Sequence, residues 1–118
     1  MAKAVDPTAA FFSELATRSH DPLLRKASGA TRFDIVDGRR IRRWYLSIDK
    51  GDISVATKAS GETSCIIRAD KAVFDRIAAG KLNAVAAVLR GDLVVDGDWR
   101  LLVRLQRLFP SPPRRRRK

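Results

Sequence analysis

The sequence predicts an α+β fold in which helices precede and follow a run of short strands. Two patterns predict it: apolar and polar residues alternate between residues 31 and 70, as in half-buried strands, and apolar residues recur at helical spacing on either side. At 118 residues the chain is long enough for a single hydrophobic core. We therefore expect one domain over residues 1–110, followed by a short tail.

The composition is that of a globular protein and excludes several other classes. Apolar residues make up 45% and charged residues 31% of the chain, which is too hydrophobic for a disordered protein. A single cysteine and a single histidine leave no disulfide framework and no zinc site, so we predict neither a metal nor a cofactor. No apolar run reaches the roughly 18 residues of a membrane span, and no secretion signal is found, which predicts a soluble, cytoplasmic protein.

No catalytic residues are predicted. The segment RSHDP around His20 offers only neighbours in a loop, whereas nucleophilic catalysis needs a nucleophile, a base and an orienting acid. Cys65 falls in a predicted strand and is expected to be a buried small hydrophobe. His20 is expected at the surface.

The first half of the chain predicts one helix and then a series of strands. Asp6 can cap a helix and Pro7 suits its first position, which predicts a helix over residues 7–17. A polar connection is expected over residues 19–30. Turn signals such as Asp37-Gly38 then separate four predicted strands, TRFDIV, IRRWYLSID, ISVATK and TSCIIRAD, which favours a mainly antiparallel sheet.

Helical spacing returns after Asp70, and three more helices are predicted. The first ends near Gly80, the second is AVAAVLR, capped by Asn83, and the last is WRLLVRLQRLF, capped by Asp98 and stopped by Pro110. A fifth strand, DLVVDG, lies between the last two helices. AVAAVLR is apolar nearly all round, which predicts burial on several sides.

The run from Phe74 to Phe109 resembles the C-terminal half of a sterol carrier protein domain. That pattern is an apolar helix ending in Gly-Lys-hydrophobic-Asn, a second helix, Gly-x-hydrophobic-x-hydrophobic-x-Gly-Asp/Asn and a leucine-rich final helix. The matching positions here are Gly80-Lys81-Leu82-Asn83, Gly91, Leu93, Val95, Gly97 and Asp98. Over residues 11–68 the order of helix and strands agrees, but few residues are distinctive.

The resemblance implies a five-stranded, mainly antiparallel sheet covered by helices, with an apolar cavity or tunnel between them. Family members bind sterols, fatty acids or fatty acyl thioesters there without chemistry. The resemblance suggests these ligand contacts: Phe74, Ile77, Val85, Val88, Leu89, Leu93, Val95, Trp99, Leu102 and Leu105. Taken without it, ordinary core packing is the more common explanation for apolar residues of this kind.

The net charge of +11 is concentrated in two clusters. Basic clusters suit lipid headgroups, anionic membranes and nucleic-acid phosphates equally well. The first cluster surrounds one predicted turn and is a candidate contact for an acidic headgroup or a membrane surface: Arg39, Arg40, Arg42 and Arg43. The second lies in a tail, residues 111–118, that is predicted to be disordered and to be a candidate contact for an anionic membrane: Arg114, Arg115, Arg116, Arg117 and Lys118.

The leading hypothesis is a non-enzymatic domain that binds or transfers lipids. Two alternatives remain open: a basic nucleic-acid-binding module, and an accessory domain that associates with a partner enzyme. The first alternative predicts steeply salt-dependent binding to nucleic acid, and the second predicts a stable protein partner without lipid affinity.

Overall fold

The computed structural model describes residues 6–58 and 63–109 and confirms the α+β architecture. In this part of the chain the helices are α1 (Pro7–Arg18), α2 (Lys71–Ala78), α3 (Ala84–Leu89) and α4 (Trp99–Leu105). The strands are β1 (Ser28–Asp37), β2 (Arg40–Asp49), β3 (Asp52–Ala56), β4 (Cys65–Asp70) and β5 (Leu93–Gly97). The predicted tail, residues 111–118, lies outside the described residues.

The five strands form one sheet in the order β3-β2-β1-β4-β5. Three of its four strand pairs are antiparallel, which confirms the mainly antiparallel prediction. The remaining pair is parallel, because β4 lies beside β1 and not beside β3, the strand that precedes it. Turn signals specify neighbours only within a hairpin, so they did not predict that β4 would pair with β1.

The core lies between one face of the sheet and the helices. Phe33, Ile35 and Leu46 point from the sheet into it, and all three are buried. Phe12 of α1 stacks on Trp44, with ring centroids 4.6 Å apart, and meets the edge of Phe33 at 5.1 Å. Since each buried large apolar side chain contributes about 1.5–3 kcal/mol, this aromatic cluster is a main contact between α1 and the sheet.

The opposite face of β1 carries a buried carboxylate. Asp34 accepts two hydrogen bonds of 2.8 Å from Arg32 and one of 3.2 Å from Arg43 on β2. Only 3% of the Asp34 side chain is exposed, so its charge requires these partners. The pair Arg43 and Asp34 lies directly across the antiparallel β1–β2 register.

Helix ends follow the predicted caps with two exceptions. The side chains of Asp6, Asn83 and Asp98 accept hydrogen bonds from the first turns of α1, α3 and α4. Asp70 occupies the cap position of α2, but its side chain makes no cap hydrogen bond. The last helix was expected to reach residue 109, yet it tightens into a 3-10 turn over Gln106–Leu108, because a residue before proline favours extended backbone.

The connection over residues 19–30 is less polar than expected. It contains a 3-10 turn at Pro22–Leu24, and β1 already begins at Ser28. Leu24 and Ala27 are buried in the core. His20 is at the surface as predicted, where its Nδ1 lies 2.7 Å from a carboxylate oxygen of Asp52.

Candidate functional site

Helix α3 packs on the sheet through its smallest side chains. Asn83 accepts a hydrogen bond of 3.0 Å from the N–H of Ala86, which starts the helix. Ala84 and Ala87 are buried, and α3 contacts β5. Leu89, at the end of the helix, is 83% exposed. The prediction of burial on several sides was therefore wrong: Ala84 and Ala87 are buried and Val88 packs partly against the core, but Leu89 is exposed.

The uncovered side of α3 faces an apolar cavity of about 390 Å³. The cavity lies between α3, β5 and α4, and we call it the α3–α4 cavity. Its lining residues are Val85, Val88, Leu89, Val95, Gly97, Trp99, Leu102 and Val103. None of these side chains is charged, and its volume falls within the usual range of small-molecule sites. Such a cavity favours an apolar ligand, because an uncompensated polar group would lose its hydration there.

The structure brings together six of the ten residues predicted to contact a ligand. These six line the α3–α4 cavity: Val85, Val88, Leu89, Val95, Trp99 and Leu102. The other four, Phe74, Ile77, Leu93 and Leu105, are almost fully buried in the core and do not line it. Sequence reasoning missed Val103 and the backbone of Gly97 as lining residues. Val103 could have been predicted, because it lies one helical turn beyond Trp99.

Gly97 shapes one wall of the cavity through its backbone. Its φ of +108° is rarely adopted by other residues, and a Cβ at this position would collide with the carbonyl oxygen of Ser64. The next residue, Asp98, donates its N–H to the same carbonyl oxygen at 3.0 Å. The Asp98 side chain then accepts a hydrogen bond of 3.1 Å from the N–H of Arg100. These contacts turn the chain from β5 into α4.

A second hollow, the α1 groove, lies between α1 and the β2–β3 side of the sheet. It has a volume of about 560 Å³ and is open to solvent. Its lining residues are Ala9, Phe12, Ser13, Ala16, Trp44, Val55, Ala56, Thr57 and Lys58. Polar side chains such as Ser13 and Lys58 therefore share this wall, unlike that of the α3–α4 cavity.

The four hairpin arginines do not form one surface. Arg43 contacts Asp34 on one face of the sheet, whereas the guanidinium of Arg42 lies 5.7 Å from the Trp44 ring centre on the other. Arg39 and Arg40 are exposed at the turn between β1 and β2. None of the four lines the α3–α4 cavity. Their predicted contact with an acidic headgroup or a membrane stays a prediction.

None of the described residues that line the cavity carries a nucleophile or an acid–base group. Cys65 is 1% exposed, and burial, together with the nearby carboxylates of Asp98 and Asp96, raises the pKa of its thiol to about 11. Within residues 6–58 and 63–109, no three His, Cys, Asp or Glu side chains are grouped so that they could hold a metal ion. No helix in the described part of the chain is long and apolar enough to cross a membrane.

Comparison with known proteins defines the class. The order of elements and the five-stranded sheet are those of sterol carrier protein domains. The chain belongs to the SCP-2 sterol transfer family, whose model matches residues 9–110. The match includes the first half of the chain, where the sequence resemblance was weaker.

Solved structures share this fold at low sequence identity. Palmitated SCP2L2 from Aedes aegypti is 16% identical with a TM-score of 0.74, covering 96% of this chain and all of its own. Apo sterol carrier protein 2 from Yarrowia lipolytica is 22% identical with a TM-score of 0.63, covering 87% and 98%. The sec-alkylsulfatase Pisa1 from Pseudomonas sp. is 22% identical with a TM-score of 0.66, over 87% of this chain and 16% of that enzyme. No curated protein matches the sequence.

Proposed function

We propose that the protein binds a lipid in the α3–α4 cavity and carries or transfers it without chemistry. The observation that carries this proposal is the lining of the cavity, which is predominantly apolar, carries no charged side chain and includes the exposed Leu89. A fatty acid, a fatty acyl thioester or a sterol would place its hydrocarbon part inside. A polar headgroup would remain at the opening, where it keeps its hydration.

Burial of hydrocarbon supplies the binding free energy. Each methylene removed from water contributes about 0.8 kcal/mol, so about ten buried methylenes give a gross gain of about 8 kcal/mol. This gain corresponds to a dissociation constant of about a micromolar before the costs of association are subtracted. Because the indole N–H of Trp99 is the one hydrogen-bonding side-chain group among the lining residues, selection among lipids would depend mainly on length and shape.

Membership in a sterol transfer family supports a lipid ligand, and so does the likeness to the palmitated Aedes aegypti protein. The positions of Cys65 and His20 support binding without chemistry. The Cys65 thiol is buried and protonated at neutral pH, and His20 pairs with Asp52 on β3, at the opposite edge of the sheet from β5. Neither the family match nor the likeness to the Aedes aegypti protein supports a nucleic-acid-binding module or an accessory domain.

Filling the cavity tests the proposal. Val88→Trp places a large ring in the α3–α4 cavity, so the variant should remain folded and lose binding of a fluorescent fatty acid that the parent protein binds. Ala16→Trp is the matched control, because Ala16 lines the α1 groove instead. We expect Ala16→Trp to bind the probe as the parent does. Binding that survives in Val88→Trp but is lost in Ala16→Trp would assign the lipid to the α1 groove and contradict the proposal.

A further inference from the structure

Large apolar side chains are exposed together at the opening of the α3–α4 cavity. Leu89 is 83% exposed, Trp99 is 62% exposed and Val103 is 46% exposed. All three line the same cavity, so they are neighbours, and we call them the mouth patch. Trp99 and Val103 lie one turn apart on α4. Exposure of so much apolar area at one place is typical of an interaction surface.

Positive charge lies beside the mouth patch. Arg100 and Arg104 form the adjacent stripe of α4, and Lys26 faces them across a polar cleft of about 210 Å³. We call these three residues the basic cleft. Among the described residues that line it, Asp98 is the one carboxylate, and its contact with Arg100 is long at 3.5 Å. Lys26 and Arg104 make no ion pair within the described ranges 6–58 and 63–109.

The combination of apolar patch and cations restricts what can cover this face. A second copy of the chain would bring two basic clefts together and repel. The chain's own tail, Arg114–Lys118, carries five positive charges and would be repelled in the same way. An anionic phospholipid bilayer fits both parts, because its interface accepts tryptophan and leucine and its phosphates attract arginine and lysine.

We propose that the mouth patch and the basic cleft dock the protein on an anionic phospholipid membrane. Leu89 and Trp99 enter the interface, and Lys26, Arg100 and Arg104 contact lipid phosphates. Docking in this orientation places the opening of the α3–α4 cavity against the bilayer. This inference rests on the proposed function only where it assigns the α3–α4 cavity to a lipid. A lipid would then pass from the bilayer into the cavity without crossing water.

Tryptophan fluorescence reports on this face directly. The sequence has two tryptophans, so Trp44→Phe leaves Trp99 as the only one. With vesicles of equal parts phosphatidylcholine and phosphatidylglycerol, the Trp99 emission should shift to shorter wavelength and be quenched by brominated lipid tails. Vesicles of phosphatidylcholine alone should give a smaller shift, because their zwitterionic headgroups carry no net negative charge to attract the basic cleft. If the protein binds the anionic vesicles but the Trp99 emission stays unchanged, the proposal is overturned.

Vesicle sedimentation separates the mouth patch from the other charges. The double variant Leu89→Ser with Trp99→Ser keeps every charge and should bind the anionic vesicles about tenfold more weakly or worse. Arg100→Gln with Arg104→Gln should also weaken binding. The control, Arg39→Gln with Arg40→Gln, removes the same charge from the far end of the β1–β2 hairpin and should weaken it less.

Two outcomes would contradict docking by this face. Equal sedimentation of the parent and the Leu89→Ser, Trp99→Ser variant would assign membrane binding to the other cations. A dimer in sedimentation equilibrium that this variant loses would make the patch an interface between copies. Docking and cavity binding fail separately, because the same parent protein is titrated with fluorescent fatty acid: fatty-acid binding without docking refutes only this inference, and docking without fatty-acid binding refutes only the proposed function.

Discussion

Cys65 is a buried residue whose surroundings are formed by two neighbouring strands. It begins β4, between Thr31 of β1 and Gly97 of β5, and its sulfur is shielded from water. Its position in a strand of period two was enough to predict burial as a small apolar residue. The carboxylates of Asp96 and Asp98, which add to the rise in its pKa, are brought near only by the β4–β5 pairing and were not predictable.

This raised pKa predicts a loss of stability at alkaline pH. Unfolding returns the thiol from a pKa of about 11 to its ordinary value of 9.0, so the unfolded chain loses the proton first as the pH rises. The free energy of unfolding should therefore fall between these two values, by about 2–3 kcal/mol. Urea unfolding of the parent and of Cys65→Ala, below and above this window, measures it. An equal decline in both proteins would show that Cys65 does not cause it.

At the scale of elements, the sequence predicts which segments form helices and strands better than how they pack. The ends of α3 were predictable from Asn83 and Gly91. The side of α3 that opens to the cavity was not, because the helix Ala84–Leu89, AVAAVL, contains no polar position that would orient it. Its orientation is set by contact with β5, where alanines allow close packing.

The same limit explains the outcome for the ligand-contact residues. Phe74 and Val88 are both apolar residues on predicted helices, and the pattern around each is compatible with a core position or a cavity position. Only the three-dimensional packing separates them: Phe74 is enclosed by other rings, including Phe12 at 5.8 Å, whereas Val88 borders open space. Six of the ten residues that the family resemblance suggested line this cavity, but the resemblance could not divide its wall from the core behind it.

The junction between β5 and α4 offers a test at this scale. Gly97→Ala should destabilise the protein by about 1–3 kcal/mol more than Gly91→Ala, because a Cβ at residue 97 meets the Ser64 carbonyl as well as straining the backbone. Gly91 is the matched control, since its φ is also positive, at +82°, but a Cβ there meets open space. Thermal unfolding of both variants measures the difference. Equal losses of stability in the two variants would mean that the close contact between residue 97 and the Ser64 carbonyl does not constrain the cavity wall.

At the scale of the whole molecule, the two candidate sites for a lipid lie at opposite edges of the sheet. The α1 groove is larger, but it is open and partly polar, and the α3–α4 cavity is smaller and predominantly apolar. Binding energy for a lipid depends on apolar area removed from water rather than on volume, which favours the α3–α4 cavity. Opposite positions on the sheet make the two sites easy to distinguish: the α1 groove borders β3, and the cavity borders β5.

The measurement that tests the central claim most directly is isotope-filtered NOE spectroscopy of the ¹³C-labelled protein with unlabelled palmitate. The account predicts cross-peaks between the methylenes of the bound chain and the methyl groups of Val85, Val88 and Val95. Cross-peaks to the methyl groups of Val55 and the ring of Phe12, without any to these three valines, would place the lipid in the α1 groove and contradict the account.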